Sequence, residues 1–214
     1  MRFYRLGCDF MRGELNVSLL FGGIVDCDES GRVFRAEGRY KTLSGSINSG
    51  TKNTYDAASN GCVVPTLYSE KFFEVLRSIE ATGYLKIPVD LLTSKGAKVE
   101  GFSALCIAGR CGPIDWSKSL PTMSPPRFPG GRKCFAFKGI FFDQNGWDGK
   151  DIFMPENTHT TIVTERVALA LLEAKLKNVT VSPLDQQESN LTDDKIIEAF
   201  GKQKFAEWKL QNLI

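Results

Sequence analysis

The spacing of apolar positions changes several times along this chain, and each change marks a predicted element. FYRL, ELNVSLLFGGIVD and RVFRAEGRY predict β structure over the first 43 residues, with turns at Met11-Arg12-Gly13 and Asp28-Glu29-Ser30-Gly31. SGSINSGTKNTYDAASNG, residues 44–61, is polar throughout and reads as a long loop. GFSALCIAG reads as a strand buried on both faces. LPTMSPPRFPGGRK then carries Pro121, Pro125, Pro126 and Pro129, which bars a helix or a central strand and predicts a crossing connection. KCFAFKGIFF and DIFMP read as paired strands joined through DQNGWDG. A last helix starts near Thr192, with Asp193 and Asp194 in its first turn and Gly201 weakening or bending it.

The strongest pattern is a repeat. SEKFFEVLRSIEATGYLKIPV from Ser69 lies without a gap over TERVALALLEAKLKNVTVSPL, which starts 95 positions later at Thr164. Ser69 and Thr164 suit helix N-caps, and Glu70 and Glu165 place charge at the positive end of each helix. Phe72, Leu76 and Ile79, like Val167, Leu171 and Ala174, recur at helical spacing. Gly83 and Asn178 suit the left-handed helix end, and Tyr84-Leu85-Ile87 and Val179-Val181 suit strands. With IVT before the second helix, the unit reads as strand, helix, strand. The expected fold is α+β: a β-rich N-terminal part, two similar helix–strand units on a mixed sheet, and a C-terminal helix. It is read as one domain over 1–214, with two lobes divided near 119–132 as the alternative.

Composition narrows the function classes. The chain is 42% hydrophobic and 24% charged, as soluble globular proteins are, and its net charge is +2. That balance argues against a nucleic-acid or anionic-membrane partner, and no apolar stretch predicts a spanning helix. MRFYRLGCDF lacks the apolar stretch of a secretion signal, so a cytoplasmic setting is expected. The six cysteines are scattered without a CxxC pair and are read as reduced thiols.

Candidate chemistry is thin. His159 is the only histidine, which removes multi-histidine metal sites. DQNGWDGKD fails as a calcium loop, because Asp148 stands where a glycine is required and Met154 where a glutamate is. No phosphate-binding or nucleophile-elbow motif appears, and neither cofactor nor metal is expected. One alternative remains: a small hydrolase or transferase with a Cys nucleophile, such as Cys111 or Cys134, and His159 as base. GRCGPIDWSKS is the densest run of interface-forming types, with Arg110, Asp115 and Trp116 as anchor candidates. The competing reading is a turn in which Asp115 caps and Trp116 packs inward.

At these residues the chain resembles a bacterial immunity-protein family of polymorphic toxin systems. The likeness rests on Trp147, Gly149, Asp151 and Phe153, on IVTERVALALLEAKLKNVTVSP, and on GYLKIPV and GRCGPID; it spans about residues 63–185. A related group carries two CxxCG motifs, which this chain lacks, so the metal implied there is not carried over. The resemblance implies a protein that binds and blocks a cognate toxin without catalysis. The expected contacts are the 44–61 loop through Asn53 and Tyr55, the Arg110–Trp116 turn, and the Pro-rich crossing through Arg127. A third reading is a structural subunit whose partner is another copy of itself.

Overall fold

The computed structural model describes residues 1–9, 15–49, 55–60, 65–124, 130–131 and 134–212. Chain order begins with strands β1 (Phe3–Cys8), β2 (Asn16–Phe21) and β3 (Ile24–Val25), then helix α1 (Cys27–Phe34), β4 (Leu43–Ser49) and β5 (Ala57–Asn60). Next come β6 (Leu67–Ser69), α2 (Glu70–Ser78), β7 (Tyr84–Leu92), β8 (Lys98–Val99), β9 (Phe102–Ile107) and β10 (Gly109–Cys111). The remainder is β11 (Leu120–Ser124), β12 (Cys134–Lys138), β13 (Ile152–Pro155), β14 (Thr161–Thr164), α3 (Glu165–Glu173), β15 (Val179–Pro183), β16 (Glu188–Ser189), α4 (Asp193–Phe200) and α5 (Lys202–Asn212). The fold is α+β, with a helical C-terminus.

Strands β2, β4, β7, β9, β6 and β5 pair in that order, and β5 returns to β2, closing a six-stranded barrel. Alternate residues fill it: Val17 and Leu19, Leu43, Ala58, Leu67, Ile87, Val89 and Leu91, Phe102, Ala104 and Cys106. The opposite face of β9 enters a second core. There Leu105 and Ile107 meet Phe72, Phe73 and Leu76 of α2, and Val167, Ala168 and Leu171 of α3. This is why GFSALCIAG is apolar without alternation. A five-stranded sheet, β10-β13-β14-β1-β15, lies across that core, and β11-β12-β16 forms a separate small sheet under α4 and α5.

The repeat is an internal duplication, and it is wider than the helix–strand units. β9 lies between β6 and β7, antiparallel to both, and β1 lies between β14 and β15 in the same way. Ala104 stands opposite Leu67 and Ile87; Arg5 stands opposite Ile162 and Ser182, each 95 positions further on. β5 pairs with β6 as β13 pairs with β14, and β2 runs parallel to β5 as β10 runs parallel to β13. Each half is therefore strand, strand, insert, strand, strand, helix, strand, and each half lends its first strand to the other's sheet. The two helix–strand units sit in different sheets, joined through the exchanged strands and the shared core.

Reciprocal polar brackets tie the halves together. Asp56 accepts from the Ser69 hydroxyl at 2.7 Å and from the Lys177 N–H at 2.8 Å. Asp151, 95 positions on, accepts from the Thr164 hydroxyl at 3.0 Å and the Thr82 N–H at 2.9 Å. Each aspartate thus holds its own helix start and the loop that follows the other helix. The cation of each cap triplet does the same: Lys71 Nζ donates to the Ala174 carbonyl at 3.3 Å and Arg166 Nη1 to the Ile79 carbonyl at 2.6 Å. These are the otherwise unpaired carbonyls of a helix end. The left-handed positions also correspond, Glu80 with Lys175 and Gly83 with Asn178.

Several expectations need correction. RVFRAEGRY is not a strand: Asp26 caps α1 by accepting from the Glu29 N–H at 2.9 Å, and the helix buries Val33 in the barrel. The polar 44–61 stretch is not one loop, because β4 and β5 occupy much of it. Its small residues fit a crowded wall; a Cβ on Gly45 would stand 2.7 Å from Leu91 Cδ2. Part of the Pro-rich run is a strand, and Pro121 is accommodated because β11 is an edge. KCFAFK does not pair with DIFMP; β12 pairs with β11 and β16, and β13 with β10 and β14. Ser69 caps α2 with its side chain, whereas the Thr164 hydroxyl is taken by Asp151 and does not cap α3. Gly201, at φ 85°, separates α4 from α5.

Candidate functional site

Arg110 and Asp115–Trp116 occupy one stretch of chain but do different jobs. Arg110 is half-buried in β10 and donates to the carbonyls of Ile107 at 2.6 Å, Gly109 at 2.9 Å and Arg35, fastening the end of α1 to the sheet. Asp115 caps a 3-10 turn over residues 116–118; the Ser117 hydroxyl and the Lys118 ammonium hold its carboxyl below its ordinary pKa. Trp116 is half-buried against the core formed by Phe137, Ile196 and Phe205. Tyr55 is half-buried in the bend before β5, and Asn53 and Arg127 lie outside the described residues.

This stretch backs a segment that lines a pocket, without lining the pocket itself. Ile114 bridges Phe142, and the Asp115 N–H donates to the Phe141 carbonyl at 2.7 Å. The Phe141 segment, the start of β1 and the turn after β15 enclose a half-open pocket of about 360 Å³. Its apolar lining includes Phe3, Ile140, Phe142 and Leu184, and Arg2, Gln144, Asp185 and Gln186 add polar groups. The floor is stiff. Phe3 meets Phe142, Trp147 and Phe153 edge-on at centroid distances of 5.1, 5.3 and 5.6 Å. The Ile140 N–H donates to the Leu184 carbonyl at 2.9 Å, tying opposite walls together. Sequence reading missed this site because its parts come from three distant segments; the aromatic density of GIFF beside WDG was the available signal.

No protein-family model matches this chain, and no curated protein matches it.

Four titratable groups elsewhere have shifted pKa values or sit against the core. Burial alone would raise the Asp151 carboxyl, yet Arg166, both Thr82 donors and Thr164 outweigh it and hold the group at about 2. Burial pushes the Cys106 and Cys111 thiols up to about 12, so both are protonated at neutral pH. The Cys111 thiol makes no hydrogen bond among the described residues; the side chains of Cys62 and Cys134 lie outside them. His159 stands edge-on to Phe34 at 6.0 Å, and its pKa is lowered by burial and by Arg35 and Lys195, all of which disfavour the charged ring. Among the described residues no three His, Cys, Asp or Glu side chains gather as a metal site would require, and no helix is long and apolar enough to cross a membrane. Alkylation of the native protein with iodoacetamide will modify the exposed Cys27 and leave Cys106 and Cys111 intact until denaturant is added, as read by peptide mass spectrometry.

Proposed function

We propose that this protein is an immunity protein: it captures a cognate toxin and blocks it by occupying its surface, without catalysis. The observation that carries the reading is the pocket bounded by Phe3, Phe142 and Leu184, a recess whose lining mixes apolar and polar surface and carries Arg2 and Asp185. Binding energy at protein interfaces concentrates where a bulky side chain fills such a recess and polar groups around it fix its orientation. The Asp115–Lys118 turn beside the pocket extends the contact surface, and the resemblance of the WDGKDIF run to immunity proteins supports the same reading.

The test is titration calorimetry of the full chain against the polypeptide encoded by the neighbouring reading frame. Gln186→Trp, at an exposed position in the pocket lining, fills the recess and should weaken binding by roughly 30-fold. Unchanged affinity in a folded variant contradicts the pocket's role. No binding by the parent chain contradicts the reading itself.

A further inference from the structure

The duplication supplies an internal comparison of two equivalent surfaces, and they differ at one seam. In the first half Glu70 accepts from Arg77 at 2.7 Å and from Lys86, whose ammonium also lies 5.2 Å from the Phe73 ring. This network screens the junction of α2 with β7. At the equivalent positions, 95 further on, Glu165 remains but Arg77 is replaced by Leu172 and Lys86 by Val181, and Glu74 by Leu169. Leu169 and Leu172 are 58% and 53% exposed. β15 is the end strand of its sheet, has no charged residue between Val179 and Pro183, and has no partner on its outer side among the described residues. Edge strands are ordinarily guarded by charge, and β15 carries Val181 where β7, paired with both β4 and β9, carries Lys86.

We propose that β15 is an assembly edge and that its partner is β15 of a second copy of this chain, paired antiparallel about Val181. The register is self-complementary. Val181 faces its own counterpart, Thr180 faces Ser182, and Val179 faces Pro183, which has no N–H to give and ends the ladder there. Charges at the strand's two ends agree with it: Lys177 precedes β15 and Asp185 follows it, both exposed and neither in an ion pair among the described residues. Antiparallel pairing sets each Lys177 against the Asp185 of the other copy, as an isologous two-fold interface demands. The five-stranded sheet then continues across the axis, with Leu169 and Leu172 of the two α3 helices covering each other above it. Because Asp185 also lines the pocket, the second copy's Lys177 would stand at its mouth.

The experiment moves the first half's guard onto the second. Leu172→Arg with Val181→Lys rebuilds, beside Glu165, a network the chain already tolerates at Glu70, and circular dichroism checks that the variant folds. Leu169→Glu, which copies Glu74 onto an exposed helix position, is the second variant. Sedimentation equilibrium should give twice the 23.7 kDa chain mass for the parent protein and the single mass for both variants. A monomeric parent overturns the proposal, and so do folded variants that remain dimeric. A parent that is monomeric alone but loses its toxin when the guard is moved overturns it too, and assigns the edge to the toxin.

Discussion

Replacing Asp151 by alanine will destabilise the protein by about 3 kcal/mol, a fall in Tm of roughly 6–12 °C. The carboxylate side chain is 10% exposed and holds Arg166 through Nε at 2.7 Å and Nη2 at 2.5 Å. It also accepts from the Thr82 N–H at 2.9 Å, the Thr82 hydroxyl at 2.8 Å and the Thr164 hydroxyl at 3.0 Å. Truncation leaves these donors without an acceptor at the junction of the two halves, and unpaired buried donors cost more than the bonds contributed. Arg166 is 50% exposed and can turn to water, which keeps the effect at the lower end of the range for buried pairs.

The same group fixes an acid-side transition. Its folded pKa of about 2 lies below the ordinary 3.8, so its stabilisation is complete above 3.8 and disappears as pH falls through 2. Linkage makes this worth about 2 kcal/mol. Chemical denaturation of parent and Asp151→Asn proteins should give a stability gap that closes between pH 5 and pH 2, roughly the window of that titration. A gap independent of pH contradicts the assigned charge state.

Gly83→Ala is the second large effect, expected at about 3–5 kcal/mol and read as lost soluble yield or a collapsed denaturation midpoint. Gly83 has φ 89°, and an added Cβ would overlap the Ile152 carbonyl and stand 2.7 Å from Lys150 Cβ. Strain from the left-handed backbone adds to that overlap. Asn178 occupies the equivalent place with φ 57° and uses its side chain instead: Oδ1 accepts from the Ala57 N–H and Nδ2 donates to the Ala57 carbonyl, both at 3.0 Å. One backbone geometry is thus met by absence of a side chain in one half and by an amide bracket in the other. A Gly83→Ala protein as stable as the parent contradicts the close approach of the halves.

The helix–strand units were legible because cap, apolar face and left-handed stop are local chemistry, readable within twenty residues or so. Extending the 95-residue offset upstream would have paired Asp56 with Asp151, since both sit in the same frame as Ser69 and Thr164. The exchanged strands were harder to see. Phe3 corresponds to Phe102 and Leu6 to Leu105, but the offset there is 99, and pairing partners of β1 lie at the far end of the chain. α1 was misread because Val33 and Phe34 suit a strand, although Asp26 with Asp28 and Glu29 was a helix start in plain view. β4 was hidden by its serines, whose outward positions are polar while Leu43 faces the barrel interior. The site residues fared differently. Arg110, expected as an interface anchor, directs its donors at backbone carbonyls, and the pocket next to its segment depends on contacts no spacing rule encodes.

Hydrogen–deuterium exchange of the full chain, alone and with the neighbour-encoded polypeptide, tests the binding account most directly. Protection concentrated at residues 1–3, 140–144 and 183–186, with the barrel strands unchanged, is the predicted result. Binding that leaves those three segments as exposed as in the free protein contradicts it.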